Sequence, residues 1–113
     1  MLEPTQGKIL RLHFSEHDKY RGRPLYEAIV DKCRELHIAG ATVYRGLEGY
    51  GETAEVHRAH LITHDLPINV SIIDTPENIA RLLPFVEDMM DTGLIAMNDV
   101  EVIRVQRSKP KGD

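Results

Sequence analysis

Apolar and polar residues alternate from Lys8 to Ser15. Leu10, Leu12 and Phe14 point one way and Ile9, Arg11 and His13 the other, the period of a half-buried strand. A polar stretch, Glu16 to Arg23, leads to Pro24, which suits the first turn of a helix, where its missing N–H is no loss. Leu25, Ile29, Cys33 and Leu36 recur at helical spacing, predicting a first helix from Pro24 to about His37, with Gly40 as its stop. Thr42, Val43 and Tyr44 favour extended backbone and predict a second strand from Ala41 to about Glu48. The span from Gly49 to Leu66 is long for a hairpin connection, which usually has about 2–5 residues. Pro67 to Asp74 predicts a third strand with Ile68, Val70 and Ile72 on one face. Thr75-Pro76-Glu77 is a helix start: an N-cap, a first-turn proline and an acid at the positive end of the dipole. Ile79, Leu82, Leu83, Val86 and Met90 form the stripe of a second helix, which Pro84 should bend and Gly93 should end. A last strand runs from Leu94 to Val105, best defined at Val100 to Val105.

The order strand, helix, strand, strand, helix, strand predicts an α+β class fold. It is a ferredoxin-like sandwich: a four-stranded antiparallel sheet with two helices on one face. Residues 1–7 are read as a flexible N-terminus, 8–106 as one domain and 107–113 as a polar, frayed tail. The uncovered sheet face carries Ile9, Arg11, His13, Ser71 and Ile73, a mixed surface that predicts self-association.

Composition narrows the function. With 113 residues the chain can bury one core, and Trp is absent, so that core is aliphatic. A net charge of -4 argues against nucleic acid as the main partner. One cysteine, Cys33, permits no intrachain disulfide and fits a reducing, cytoplasmic setting; its place on the first helix's apolar stripe marks it as inert packing. No apolar run approaches the roughly 20 residues of a membrane span, and the N-terminus has no signal-peptide core.

The chemistry concentrates after the second strand. Gly46, Gly49 and Gly51 let the backbone turn or let another group approach closely, and the long segment behind them favours a ligand site over a plain bulge. Arg45, Arg58, Arg104 and Arg107, with Lys19, Arg21 and Arg23 in the first loop, are the available anion clamps. The first helix's N-terminus near Pro24 offers a positive end that the missing N–H weakens. His57, His60 and His64 would share one face if helical and could hold zinc, so a metal-binding or metal-tolerance protein is the alternative reading. A small enzyme using Glu16 or Asp18 as base ranks last. No Ser-centred elbow, P-loop lysine or Cys-His pair is present, and a non-enzymatic role is expected.

Four segments together resemble a known family: Gly40-Ala41-Thr42-Val43-Tyr44-Arg45-Gly46 with Gly49-Tyr50-Gly51, Gly22-Arg23-Pro24-Leu25-Tyr26, Asp65-Leu66-Pro67 and Val102-Ile103-Arg104. They are similar to the PII-like family known as domain of unknown function 190, over about Ile9 to Val105. The resemblance implies the fold and trimeric assembly of PII signalling proteins, with a small anionic ligand in a cleft between subunits. An adenine nucleotide (AMP, ADP or ATP) is the ligand it suggests. By position it implies ligand contacts at Thr42, Gly49, Tyr50, Gly51 and Gly93, with Arg104 and Arg107 loosely matching the paired arginines of PII strands, and Arg45 joins them as an anion clamp. It further implies a partner-contacting loop at about Glu52 to His64, with Glu52, Glu55, His57, Arg58 and His60 as its contact residues. The implied partner is a membrane channel or transporter, since some members are encoded beside fluoride-export channels. Asp91-Thr92-Gly93-Leu94-Ile95 departs from the PII phosphate loop, having one glycine and no lysine, which argues against tight binding of three phosphates.

Overall fold

The structure, a computed structural model, describes residues 2–50, 56–58 and 65–106, with backbone alone at 48–50 and 56–58. The first strand, β1 (Thr5–Ser15), buries Leu10, Leu12 and Phe14, the face its alternation predicts. It starts before Lys8. Thr5, Gln6 and Gly7 pair with Val102, Glu101 and Val100, so residues 5–7 belong to the sheet and not to a flexible leader.

The polar stretch after β1 folds into a small hairpin, β2 (Lys19–Tyr20) and β3 (Arg23–Pro24). Its two-residue turn has Arg21 at φ 52 and Gly22 at φ 80, the paired positive φ that matches a hairpin's twist. Pro24 therefore closes a strand and caps the helix from outside, and α1 runs Leu25–Glu35. The Leu25 N–H donates to the Asp18 carbonyl at 2.8 Å, replacing the side-chain cap that proline cannot give. At the other end the reversal is made by His37, at φ 59, and not by Gly40. The Ile38 N–H reaches the Cys33 carbonyl at 2.9 Å and the His37 N–H reaches Arg34 at 3.1 Å, the hydrogen-bond pair of a Schellman stop.

Strand β4 (Ala41–Arg45) ends earlier than its sequence suggests. The Gly46 N–H donates to the Pro67 carbonyl at 2.8 Å, and a Cβ on Gly46 would stand 2.7 Å from Pro67 Cγ. Only a residue without a side chain crosses Pro67 this closely without forcing a shift. Beyond it, β5 (Glu48–Tyr50) and β6 (Val56–Arg58) form a separate two-stranded ribbon, with Gly49 opposite His57. Gly49 and Tyr50 are thus ribbon positions, not a turn, and His57 lies on a strand, not a helix.

The remaining elements are β7 (Pro67–Asp74), α2 (Pro76–Met89) and β8 (Leu94–Val102). The Thr75 hydroxyl caps α2 by accepting from the Asn78 N–H at 3.1 Å, and the helix is continuous through Pro84. The final strand stops at Val102, so Ile103 to Val105 lie outside it. The four main strands form one antiparallel sheet in the order β4-β7-β1-β8. One side of it, carrying Leu10, Leu12, Ile68, Val70 and Ile72, packs on Ile29, Cys33, Ile79, Leu82 and Val86 of the helices. On the other face Ile9, Arg11, His13 and Ser71 are half-buried and Ile73 is exposed. No helix among the described residues is long and apolar enough to cross a membrane.

Candidate functional site

Strand register brings Leu94, His13, Asn69 and Tyr44 into one row across β8, β1, β7 and β4 on the uncovered face. Where β4 leaves the sheet at Gly46, the row opens into a shallow hollow of ≈ 280 Å³ lined by His13, Tyr44, Arg45, Gly46, Pro67, Ile68 and Asn69. The Asn69 Oδ1 atom is buried, and no hydrogen-bond donor among the described residues reaches it. A buried acceptor left without a donor costs about 1–3 kcal/mol.

The rim is charged. Arg45 donates from Nε to Glu16 Oε2 at 2.7 Å and from Nη2 to Glu16 Oε1 at 3.0 Å. Glu16 Oε1 also accepts from the Leu66 N–H at 3.2 Å, while the Glu16 N–H donates to the Leu66 carbonyl at 2.9 Å. The hydrogen bond from Arg45 holds the Glu16 carboxyl below its ordinary value, against burial, with help from the Leu66 N–H. Glu16 is therefore an ionised clamp between strand ends. Asp18 accepts from the Ser15 N–H at 3.2 Å and its carbonyl caps α1, so both acids proposed as bases hold the first loop in place.

The other expected residues fall elsewhere. Thr42 is exposed on edge strand β4, opposite Ser71. Gly93 precedes β8 at the far edge of the sheet, beside a smaller hollow of ≈ 180 Å³ lined by Glu87, Met90, Asp91, Thr92, Gly93 and Ile95. It stands at the same end as Arg45 but three inter-strand spacings away, on the order of 14 Å. Arg104 lies past Val102, at the opposite end of the sheet, where its charge helps lower the Asp74 pKa. One chain therefore does not gather Thr42, Gly93 and Arg104 around one ligand. Arg23 pairs with Asp31 at 2.6 Å, and Arg21 lies 5.1 Å over the Tyr20 ring.

Gly51, Glu52, Glu55, His60, His64 and Arg107 lie outside the described residues, as do the side chains of Tyr50, His57 and Arg58. Among the described residues no group of three or more His, Cys, Asp or Glu could hold a metal. Cys33 is buried and its thiol is pushed up to about 11 by that burial, which keeps it protonated and unreactive. Tyr44, Pro67 and Asn69 line the hollow without being among the ligand contacts expected from the sequence. The one local sign was a polar Asn69 between the buried Ile68 and Val70.

Solved structures place this fold. CPII, a nitrogen regulatory PII-like protein from Thiomonas intermedia K12 bound to ADP, AMP and bicarbonate, superposes with a TM-score of 0.67 at 22% identity, over 92% of this chain and 94% of that one. The fold is thus the α+β, ferredoxin-like fold of PII-like proteins. Sequence gives the family: the pattern of DUF190, described as "Uncharacterized ACR, COG1993", matches residues 7–102. The UPF0166 protein of Aquifex aeolicus is 39% identical over 101 residues, 88% of this chain and 95% of its own length. The UPF0166 protein MJ1524 of Methanocaldococcus jannaschii is 36% identical over 102 residues, 88% of this chain and 94% of its own. The chain belongs to the DUF190 family.

Proposed function

We propose that this protein is a non-enzymatic, PII-like regulatory protein that assembles as a trimer and binds an adenine nucleotide in the cleft between neighbouring copies. The observation that carries the reading is the hollow at Gly46, with an Asn69 oxygen that has no donor among the described residues and with Arg45 on its rim, at the start of the 46–65 segment. An exocyclic amine could pair with Asn69 if the side chain turns toward the hollow, and phosphate suits a guanidinium. Gly93 and Arg104, at opposite ends of β8, would come to the ligand from different copies. The fold shared with a PII-like protein that holds ADP and AMP supports the same ligand class. Glu52, Glu55, His57, Arg58 and His60 would then form the surface that meets a partner, with a membrane channel or transporter the partner that the family likeness suggests. Output requires that the nucleotide favour one arrangement of that segment over another.

A thermal-shift series with AMP, ADP and ATP tests the reading. Ligand at 100 times its Kd adds about 2.7 kcal/mol, a shift of many degrees in a domain this small. AMP and ADP should raise the Tm, and ATP should do no better than ADP, because the Asp91 to Ile95 loop has no lysine. A flat Tm for all three up to millimolar concentration contradicts it.

A further inference from the structure

Arg45, the cation best placed at the hollow, is already occupied. Its guanidinium meets Glu16 through two hydrogen bonds of 2.7 and 3.0 Å, the fork-to-carboxylate geometry by which arginine would also hold a phosphate. Glu16 is the more sheltered partner, its side chain 14% exposed against 56% for Arg45. The same carboxylate accepts from the Leu66 N–H, and the Glu16 backbone pairs with the Leu66 carbonyl. Arg45 and Leu66 flank the 46–65 segment on its two sides, and Glu16, from a loop remote in sequence, joins them.

We propose that Glu16 is an internal competitor for the ligand's anionic group: it holds the Nε–Nη2 edge of Arg45 and releases it when a phosphate takes that edge. This rests on the nucleotide reading of the hollow. Carboxylate and phosphate cannot both take the Nε–Nη2 edge of one guanidinium, so a phosphate that takes this edge displaces Glu16 from it. Binding an anion at Arg45 therefore unties Arg45 from Leu66 at the root of the 46–65 segment, while Glu16 keeps its contacts with Leu66. The link between ligand and segment is then one exchanged ion pair. Glu16 acts through Arg45 and is a positioning residue.

The test is the ratio of ADP affinity to adenosine affinity, by calorimetry on the full chain, because adenosine lacks the group that competes. Glu16→Gln should tighten ADP by about tenfold and leave adenosine unchanged, since the neutral amide still accepts from Leu66 but releases Arg45. Asp18→Asn changes the net charge equally two residues away and should leave the ratio alone. In an Arg45→Ala background the gain from Glu16→Gln should vanish. A ratio unchanged in Glu16→Gln, one raised as much by Asp18→Asn, or a gain that survives without Arg45 overturns the proposal. If Glu16→Gln does not fold, Glu16→Asp, whose shorter arm loosens the fork, should raise the ratio by a smaller factor, and no rise overturns it. If the wild-type protein binds no ADP, the nucleotide reading falls by itself. The competition is then read with inorganic pyrophosphate, which Glu16→Gln must again bind more tightly than wild type.

Discussion

Gly93→Ala is expected to destabilise the chain by about 3 kcal/mol or more, lowering the Tm by roughly 12–24 °C. Two independent demands fall on this residue. Its φ of +118 lies where side-chain-bearing residues are strained, and an added Cβ would overlap the His13 backbone carbonyl oxygen. A second contact, with the end of the Met90 side chain at 3.0 Å, can relax, but the strand carbonyl cannot. The chain must leave α2, pass against the end of β1 and turn into β8, and no residue with a Cβ fits that path. Urea denaturation measures the effect, with the slope expected to stay constant and the midpoint to fall. A loss below about 1 kcal/mol would mean that the α2–β8 connection relaxes easily. Gly93 thus has a structural role whatever it contributes to a ligand, so lost binding in such a variant needs a folding control.

Asp74→Ala is expected to cost about 3 kcal/mol. Asp74 is the buried charge at the end of β7, 5% exposed. It accepts from the Ala39 N–H at 2.7 Å, the Thr75 N–H at 2.6 Å and Asn78 Nδ2 at 3.1 Å. These contacts tie the turn after α1 to the start of α2, and an alanine leaves three donors without an acceptor. Burial pushes the carboxyl up, but the donors from Ala39, Thr75 and Asn78 and the charge of Arg104 together win and lower its pKa. A folded value below the unfolded one gives stability that is complete above the ordinary carboxylate value of 3.8 and is lost as pH falls through the folded value. Glu16 is lowered in the same direction. Acid titration of unfolding stability should therefore fall less steeply below pH about 4 in Asp74→Asn than in wild type, without becoming flat. An identical slope would show that Asp74 contributes no proton linkage.

Elements set by local chemistry were legible in the chain. The alternation through Leu10, Leu12 and Phe14, the bounds of β7 and the Thr75 cap each depend on residues a few positions apart, and each matches the structure. Ends set by a distant partner were not. β1 reaches back to Thr5 because β8 is long enough to pair with it, and β4 stops at Arg45 because Gly46 turns against Pro67. The reversal after α1 falls on His37, which carries none of glycine's signal. The site was legible only in outline: the chain after Tyr44 was marked by its glycines. The hollow itself depends on register, which alone sets His13 beside Asn69 and Asn69 beside Tyr44. The Glu16–Arg45 pair joins residues 29 apart in sequence, and spacing carries no sign of it.

Native mass spectrometry of the full chain with ADP tests most directly whether the ligand cleft is built by more than one copy. Trimers that carry up to three nucleotides, beside monomers that carry none, are the expected spectrum. Monomers that hold ADP as fully as any larger species would contradict it, because residues on opposite edges of one sheet would then not need a neighbour to meet.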